Sequence, residues 1–162
     1  MELALIADTH LPRGSRRLPG RCLELIRTAD LLVHAGDIST AETLAELRAI
    51  GPPVCAIHGN VDSAELRREL PEELLLELEG VRLAVVHDAG PAAGRAERLR
   101  LRFPDADAVL FGHTHLPQHE RLGDFQIFNP GSPTERRRAP HRCMGTATIE
   151  DGGVEFGHWQ LD

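Results

Sequence analysis

Short apolar runs that stop abruptly at a polar residue recur along this chain, and they constrain its fold more than any other feature. Leu3-Ala4-Leu5-Ile6-Ala7 stops at Asp8. Asp30-Leu31-Leu32-Val33-His34-Ala35 stops at Gly36-Asp37, and Pro53-Val54-Cys55-Ala56-Ile57-His58 at Gly59-Asn60. Val81-Arg82-Leu83-Ala84-Val85-Val86 stops at His87, and Ala106-Asp107-Ala108-Val109-Leu110-Phe111 at Gly112-His113. Runs this short and continuous read as buried strands. Helical signals separate the first three. Leu18, Cys22, Leu25 and Ile26 fall on one face, and Ser39-Thr40-Ala41-Glu42 has the form of a capping box opening a helix to about Ile50. Strand–loop–helix units in series predict right-handed parallel crossovers.

The pattern then changes. Leu74, Leu76 and Leu78 recur at every second position with Glu73, Glu77 and Glu79 on the alternate ones, Glu79-Gly80 can turn, and the run from Val81 completes a hairpin. A helix is predicted from about Pro91 to Phe103, with Ala92, Ala96, Leu99 and Phe103 on one side. Short strands and turns follow around 117–122, 125–128, 144–149 and 154–161. With 162 residues and neither repeat nor linker, the chain reads as one domain over 1–162, long enough to bury on the order of 70% of its unfolded surface.

A net charge of −7 disfavours long nucleic acid as a partner, because phosphate repels an acidic surface. A small phosphorylated molecule is compatible, since bound cations reverse the sign locally. Arg136-Arg137-Arg138 is the one notable charge run and reads as a solvated loop. All basic side chains other than histidine are arginine, which reads as coding bias. Cys22, Cys55 and Cys143 are odd in number and widely spaced, as expected of reduced thiols in a cytoplasmic protein. No run approaches the ~20 apolar residues of a membrane span, and the opening apolar run is too short for a signal peptide.

The strand-end residues carry chemistry. In α/β sheets, ligands gather beyond the carboxyl ends of the strands, so Asp8, Asp37, Asn60, His87 and His113 are expected to converge. His10 and His115 lie two residues beyond Asp8 and His113. Alone, Asp8-x-His10 is a cap or turn, Gly36-Asp37 and Gly59-Asn60-Val61-Asp62 are turns, and His87 is a surface histidine. Gly112-His113-Thr114-His115 is harder to dismiss. Jointly, seven carboxylate, imidazole and carboxamide donors exceed what one tetrahedral ion needs and suit a pair of divalent transition metals. Paired ions of that kind assist phosphoryl transfer.

In order, Asp8-x-His10, Gly36-Asp37, Gly59-Asn60-x-Asp62, His87, Gly112-His113-x-His115 and Asn129-Pro130-Gly131-Ser132 resemble the calcineurin-like metallophosphoesterase superfamily, and within it the small YfcE-type phosphodiesterases. The resemblance implies two packed β-sheets flanked by helices, a four-layer α/β/β/α sandwich. It implies one metal on Asp8, His10, Asp37 and His115. The second would take Asp37 as bridge, with Asn60, His87 and His113. A hydroxide between the ions would attack phosphorus, with Asp37, Asn60 and His87 nearest the reacting phosphate. Manganese is the expected ion; nickel, zinc, iron and cobalt suit the same donors.

Two positions depart from the common pattern. Many members have His after the Asn; here it is Val61, as in the small-phosphodiesterase subgroup, which leaves leaving-group protonation unassigned. Asp88 stands where Gly is common, as a turn residue or a partner orienting His87. His34 and His58 are expected to be hydrogen-bonded core histidines, with a role behind the ligands as the alternative. His119, His141 and His158 are expected to be structural or on the surface, and Asn129-Pro130-Gly131-Ser132 a structural turn. The functional expectation is a dinuclear phosphodiesterase acting on a small phosphodiester. The alternatives are a non-catalytic interaction scaffold, as the retromer subunit of the superfamily exemplifies, or a phosphomonoesterase. Homodimerisation is a reasonable expectation.

Overall fold

The computed structural model describes residues 1–162. Its first sheet runs in the order β10-β9-β1-β2-β3, with β1 Glu2–Ile6, β2 Leu31–His34, β3 Val54–Ala56, β9 Cys143–Glu150 and β10 Gly153–Gln160. β1 pairs with β2 and β2 with β3 in parallel; β9 and β10 add antiparallel strands on the other side. The second sheet runs β4-β5-β6-β8-β7, with β4 Glu73–Leu78, β5 Val81–Val86, β6 Ala108–Phe111, β7 Gln118–Leu122 and β8 Phe125–Asn129.

Strand periodicity explains the layers. Leu3 and Leu5 face the second sheet and join Val33, Leu83, Val85, Leu110 and Phe128 in the inter-sheet core. Ala4 and Ile6 point the other way, onto Cys22 and Ile26 of α1 (Gly20–Thr28), Leu44 and Leu47 of α2 (Ala41–Arg48) and Leu66 of α3 (Ala64–Glu69). β1 is thus buried on both faces, which is why its sequence is uniformly apolar. Ala84, Val86, Val109 and Phe111 cover the outer face of the second sheet together with Ala96 and Leu99 of α4 (Arg95–Arg102). The expected four layers are present: three helices, two five-stranded sheets, one helix.

Three local expectations are corrected. Thr40, not Ser39, caps α2, its side chain accepting from the Thr43 amide. Ser39 is committed elsewhere, at φ 103° with its amide donating to Asp62 Oδ1 at 2.6 Å. α4 begins at Arg95 rather than near Pro91, because Gly94 at φ 64° ends the preceding turn. α3, capped by the Ser63 side chain accepting from Leu66 N, was not anticipated; six residues are too few to show a periodicity. No helix is long and apolar enough to cross a membrane.

Candidate metal centre

All seven expected donors belong to loops that leave the carboxyl ends of β1, β2, β3, β5 and β6, and the structure brings them together. Asp37 Oδ2 lies 3.6 Å from His10 Nε2 and 3.3 Å from His87 Nε2. Asp8 Oδ1 lies 3.5 Å from His115 Nε2, 3.9 Å from His87 Nε2 and 4.0 Å from His10 Nε2. His10 and His115 stack at 5.1 Å with their Nε2 atoms 3.2 Å apart. Asn60 Oδ1 is 3.0 Å from both His87 Nε2 and His113 Nδ1. Asp8, His10 and His115 form one compact donor group, and Asp8, Asp37 and His87 another. Both carboxylates therefore sit between the two halves, whereas the resemblance assigns that place to Asp37 alone. Asp8, His10, Asp37, His87 and His115 are buried; Asn60 is exposed and His113 half-buried. The His10/His115 half is thus enclosed, and the Asn60/His113 half opens to solvent.

The local backbone is unusual. Asp8, His10, Asp37, His113 and His115 all adopt left-handed φ, between 46° and 67°. For non-glycine residues that costs of order 1 kcal/mol or more each, and it persists only where the surroundings impose it. Here they do. Buried Asp62 accepts the amides of Gly59 at 2.6 Å and Asp37 at 3.0 Å on Oδ2, and Ser39 on Oδ1. Gly59 has no room for a side chain, since a Cβ would lie 2.1 Å from Asp37 Oδ1. The Asn129-Pro130-Gly131-Ser132 segment is a brace rather than a plain turn. Asn129 Nδ2 donates to Gly112 O at 2.9 Å and Thr114 Oγ1 at 3.1 Å, and Ser132 Oγ donates to Asp8 O at 2.8 Å. Sequence reasoning missed the bracing role of Asp62. The signal available was Asp two residues after Asn60 within a Gly-Asn turn.

Several atoms are arranged to receive a cation. His87 Nδ1 donates to Ala35 O at 2.8 Å; this orients its Nε2 toward Asp37 and Asn60, the usual device for a metal-ligating imidazole. Asp8 Oδ2 is buried with no hydrogen-bond partner. Burial drives Asp8 up to about 7, with the Asp37 charge adding to the rise against the opposing pull of His87. Burial also pushes Asp37 upward, but the hydrogen bond and charge of His87 and the Val61 amide outweigh it and hold Asp37 at about 2. His87 is raised because Asp37 and Asp8 overcome its burial. Burial lowers His10, and lowers His115 to about 4. Two close carboxylates ringed by imidazole nitrogens attract positive charge, and the oxygen and nitrogen donor set fits divalent transition ions.

Among the neighbours, His34, Asp88 and His158 follow the structural readings, whereas His58 lines the cavity beside Asn60 and is not the buried core histidine expected. His34 is fully buried, accepting from Gly36 N on Nδ1 at 3.2 Å and paired through Nε2 with Thr9 Oγ1 at 3.0 Å. His58 is half-buried, its Nδ1 on Gly59 O. Asp88 is a turn residue accepting from Gly90 N at 2.8 Å. His158 donates to Asn129 O at 2.7 Å and stacks on Phe128. The three cysteines are free thiols outside the donor cluster. A cavity of about 680 Å³ adjoins Asn60 and His87, with Arg67, Arg98, Arg102 and Leu101 on its walls.

Residues 1–152 match the calcineurin-like phosphoesterase superfamily domain. The chain belongs to the calcineurin-like phosphoesterase superfamily. Among curated members, a probable metallophosphoesterase of Methanothermobacter thermautotrophicus is 34% identical over 139 residues, 85% of this chain and 80% of that protein. Phosphodiesterase YfcE of Escherichia coli is 30% identical over 154 residues, 82% of this chain and 79% of its own. Among solved structures, Entamoeba histolytica Vps29 complexed with zinc superposes with TM-score 0.78 at 22% identity, covering 100% of both chains. A Thermotoga maritima protein does so with TM-score 0.76 at 27% identity, covering 99% of both chains. This calcineurin-like phosphoesterase thus shares its sequence family with named phosphodiesterases and its fold with Vps29.

Proposed function

We propose that residues 1–162 act as one dinuclear metal-dependent phosphodiesterase domain that hydrolyses small phosphodiesters. The observation carrying this reading is the convergence of seven donors: Asp8, His10, Asp37, His87 and His115 in two compact groups, Asn60 and His113 joined to them through His87, and an unpartnered Asp8 oxygen among them. Asp8, His10, Asp37 and His115 would hold one ion, and Asp37, Asn60, His87 and His113 the other. Two divalent ions, manganese by preference, would supply charge neutralisation at phosphorus and a hydroxide nucleophile at neutral pH.

The chain's own residues supply orientation. Asp37 is fixed by the Val61 amide, which donates to its Oδ1 at 3.0 Å. His87 is fixed by Ala35 O, and Asn60 stands at the solvent side, where a phosphate can approach. Arg67 bridges to the Asn60 and Asp62 carbonyls, so the Asn60 loop is held from the cavity side as well. The cavity beside Asn60 and His87 has room for the ester group of a small substrate, and its lining mixes Arg67, Arg98 and Arg102 with Glu72 and Asp88. Val61 is 49% exposed and apolar. It offers no proton to a departing alkoxide, so diesters with good leaving groups are the favoured substrates. YfcE bears the name phosphodiesterase, which supports the diester reading. The scaffold alternative is disfavoured because no donor position has been replaced. A small soluble substrate fits a cytoplasmic location.

The test is hydrolysis of a bis-aryl phosphate with added manganese, measured beside an aryl monophosphate. Preference for the diester, abolished in Asp37→Ala and His113→Ala, supports the proposal. Manganese-dependent turnover that survives both substitutions overturns it.

A further inference from the structure

Behind His115, on the side away from the donor cluster, two buried atoms face each other without partners. His115 Nδ1 and Glu135 Oε2 are 3.6 Å apart, and neither makes a hydrogen bond. Glu135 is placed with care. Its amide donates to Ser132 Oγ at 3.0 Å, and that same hydroxyl donates to Asp8 O. Thr134, one residue earlier, donates to Thr9 O at 2.7 Å. The segment carrying Glu135 is therefore stitched to the backbone carbonyls of Asp8 and Thr9. Two guanidinium groups flank the carboxylate: Arg16 Nη2 lies 3.6 Å from Oε1, and Arg137 Nε 3.6 Å from Oε2.

A neutral imidazole has one ring N–H. If His115 is to present a lone pair on Nε2, which faces His10 and Asp8, the proton must sit on Nδ1 and needs an acceptor there. The carboxylate of Glu135 is the group at hand. We propose that Glu135 is a positioning residue, its carboxylate accepting Nδ1–H of His115 and so turning the His115 Nε2 lone pair into the metal-binding cluster, with Arg16 and Arg137 holding that carboxylate in place. This rests on the metal-centre reading above. A contraction of about half an ångström brings the pair into hydrogen-bond range. Carboxylate–imidazole–metal relays of this form commonly change metal affinity on the order of 10–100-fold when the carboxylate is removed.

Two measurements on chelator-treated wild type, Glu135→Gln and Glu135→Ala test it. Long-range ¹H–¹⁵N correlation reads the His115 tautomer directly. Calorimetric titration with manganese and with zinc reads the affinity of each site. The expected results are an Nδ1–H tautomer in wild type and in Glu135→Gln, whose amide oxygen can still accept, and loss of that preference in Glu135→Ala. The affinity of one of the two sites falls on the order of tenfold or more in Glu135→Ala, with most of it restored in Glu135→Gln. An Nε2–H tautomer in metal-free wild type overturns the proposal, as does unchanged affinity in Glu135→Ala. The tautomer is read without any ion. Wild type that binds no metal would therefore sink the centre itself while the Glu135 contact is still decided. Should Glu135→Ala fail to fold, the wild-type and Glu135→Gln spectra alone decide the tautomer.

Discussion

Asp8→Asn should make the chelated protein more stable while destroying its capacity for metal. Asp8 is fully buried, its Oδ2 has no hydrogen-bond partner, and its pKa stands near 7 against an ordinary 3.8. The sign follows from linkage. A carboxyl whose folded pKa is raised favours the folded state below about pH 4, and that contribution is lost as pH climbs to 7. At pH 8 the side chain is ionised in both states, and the shift corresponds to roughly 4 kcal/mol of lost stability. Asparagine removes the charge and keeps an oxygen to accept the His113 amide, which lies 3.2 Å from Asp8 Oδ1. Its NH₂ group gains no assured acceptor, and that omission costs about 1–3 kcal/mol. The net gain is about 2 kcal/mol, a rise of roughly 4–8 °C in Tm for a chain of this size. The assay is urea or thermal unfolding of both proteins in chelator at pH 5 and pH 8, repeated with manganese. The difference between them should widen from pH 5 to 8 and then reverse in manganese, because only wild type gains the stabilisation of a bound ion, about 2.7 kcal/mol at a hundredfold excess over Kd. A chelated variant less stable than wild type at pH 8 would refute the claim that this buried charge strains the fold.

Three further outcomes are expected. Burial, aided by His87, holds His34 neutral with its pKa down near 3. Its contribution is complete above pH 6.5 and shrinks as pH falls below it, by about 2 kcal/mol at pH 5; urea titrations of wild type and His34→Gln should show a shallower acid slope in the variant. Asp62→Ala strands three amides, two of them on residues that flank or carry donors, and should cost on the order of 3 kcal/mol together with weaker manganese binding by calorimetry. Gly59→Ala forces a methyl into Asp37, and the protein should stay folded, losing about 1–3 kcal/mol in denaturant midpoint, but lose measurable diesterase activity; activity within twofold of wild type would contradict the contact.

The legible part of this chain was the part written in strand-length runs. β1, β2, β5 and β6 are buried on both faces, so their composition alone marks them, and the residue after each run is where a parallel sheet gathers its ligands. That logic delivered all seven donors to one place. Helix ends were less legible, because Ser39 and Thr40 offer equivalent hydroxyls and only the demand of Asp62 for the Ser39 amide decides between them. Glu135 was invisible for a related reason. Its place behind His115 depends on Ser132 and Thr134 bonding to the backbone of Asp8 and Thr9, more than a hundred residues away. The unusual backbone of the donors also leaves no mark, since nothing in Asp or His announces a left-handed φ.

That backbone has a consequence for how ions are chosen. The awkward torsions of Asp8, His10, Asp37, His113 and His115 are imposed by packing and by braces made of protein alone, so the cage is assembled when the chain folds. An ion bound as proposed would need only to settle side chains. A seat fixed in this way could choose among divalent ions only by fit and donor type, and among ions that satisfy both, cellular supply would decide.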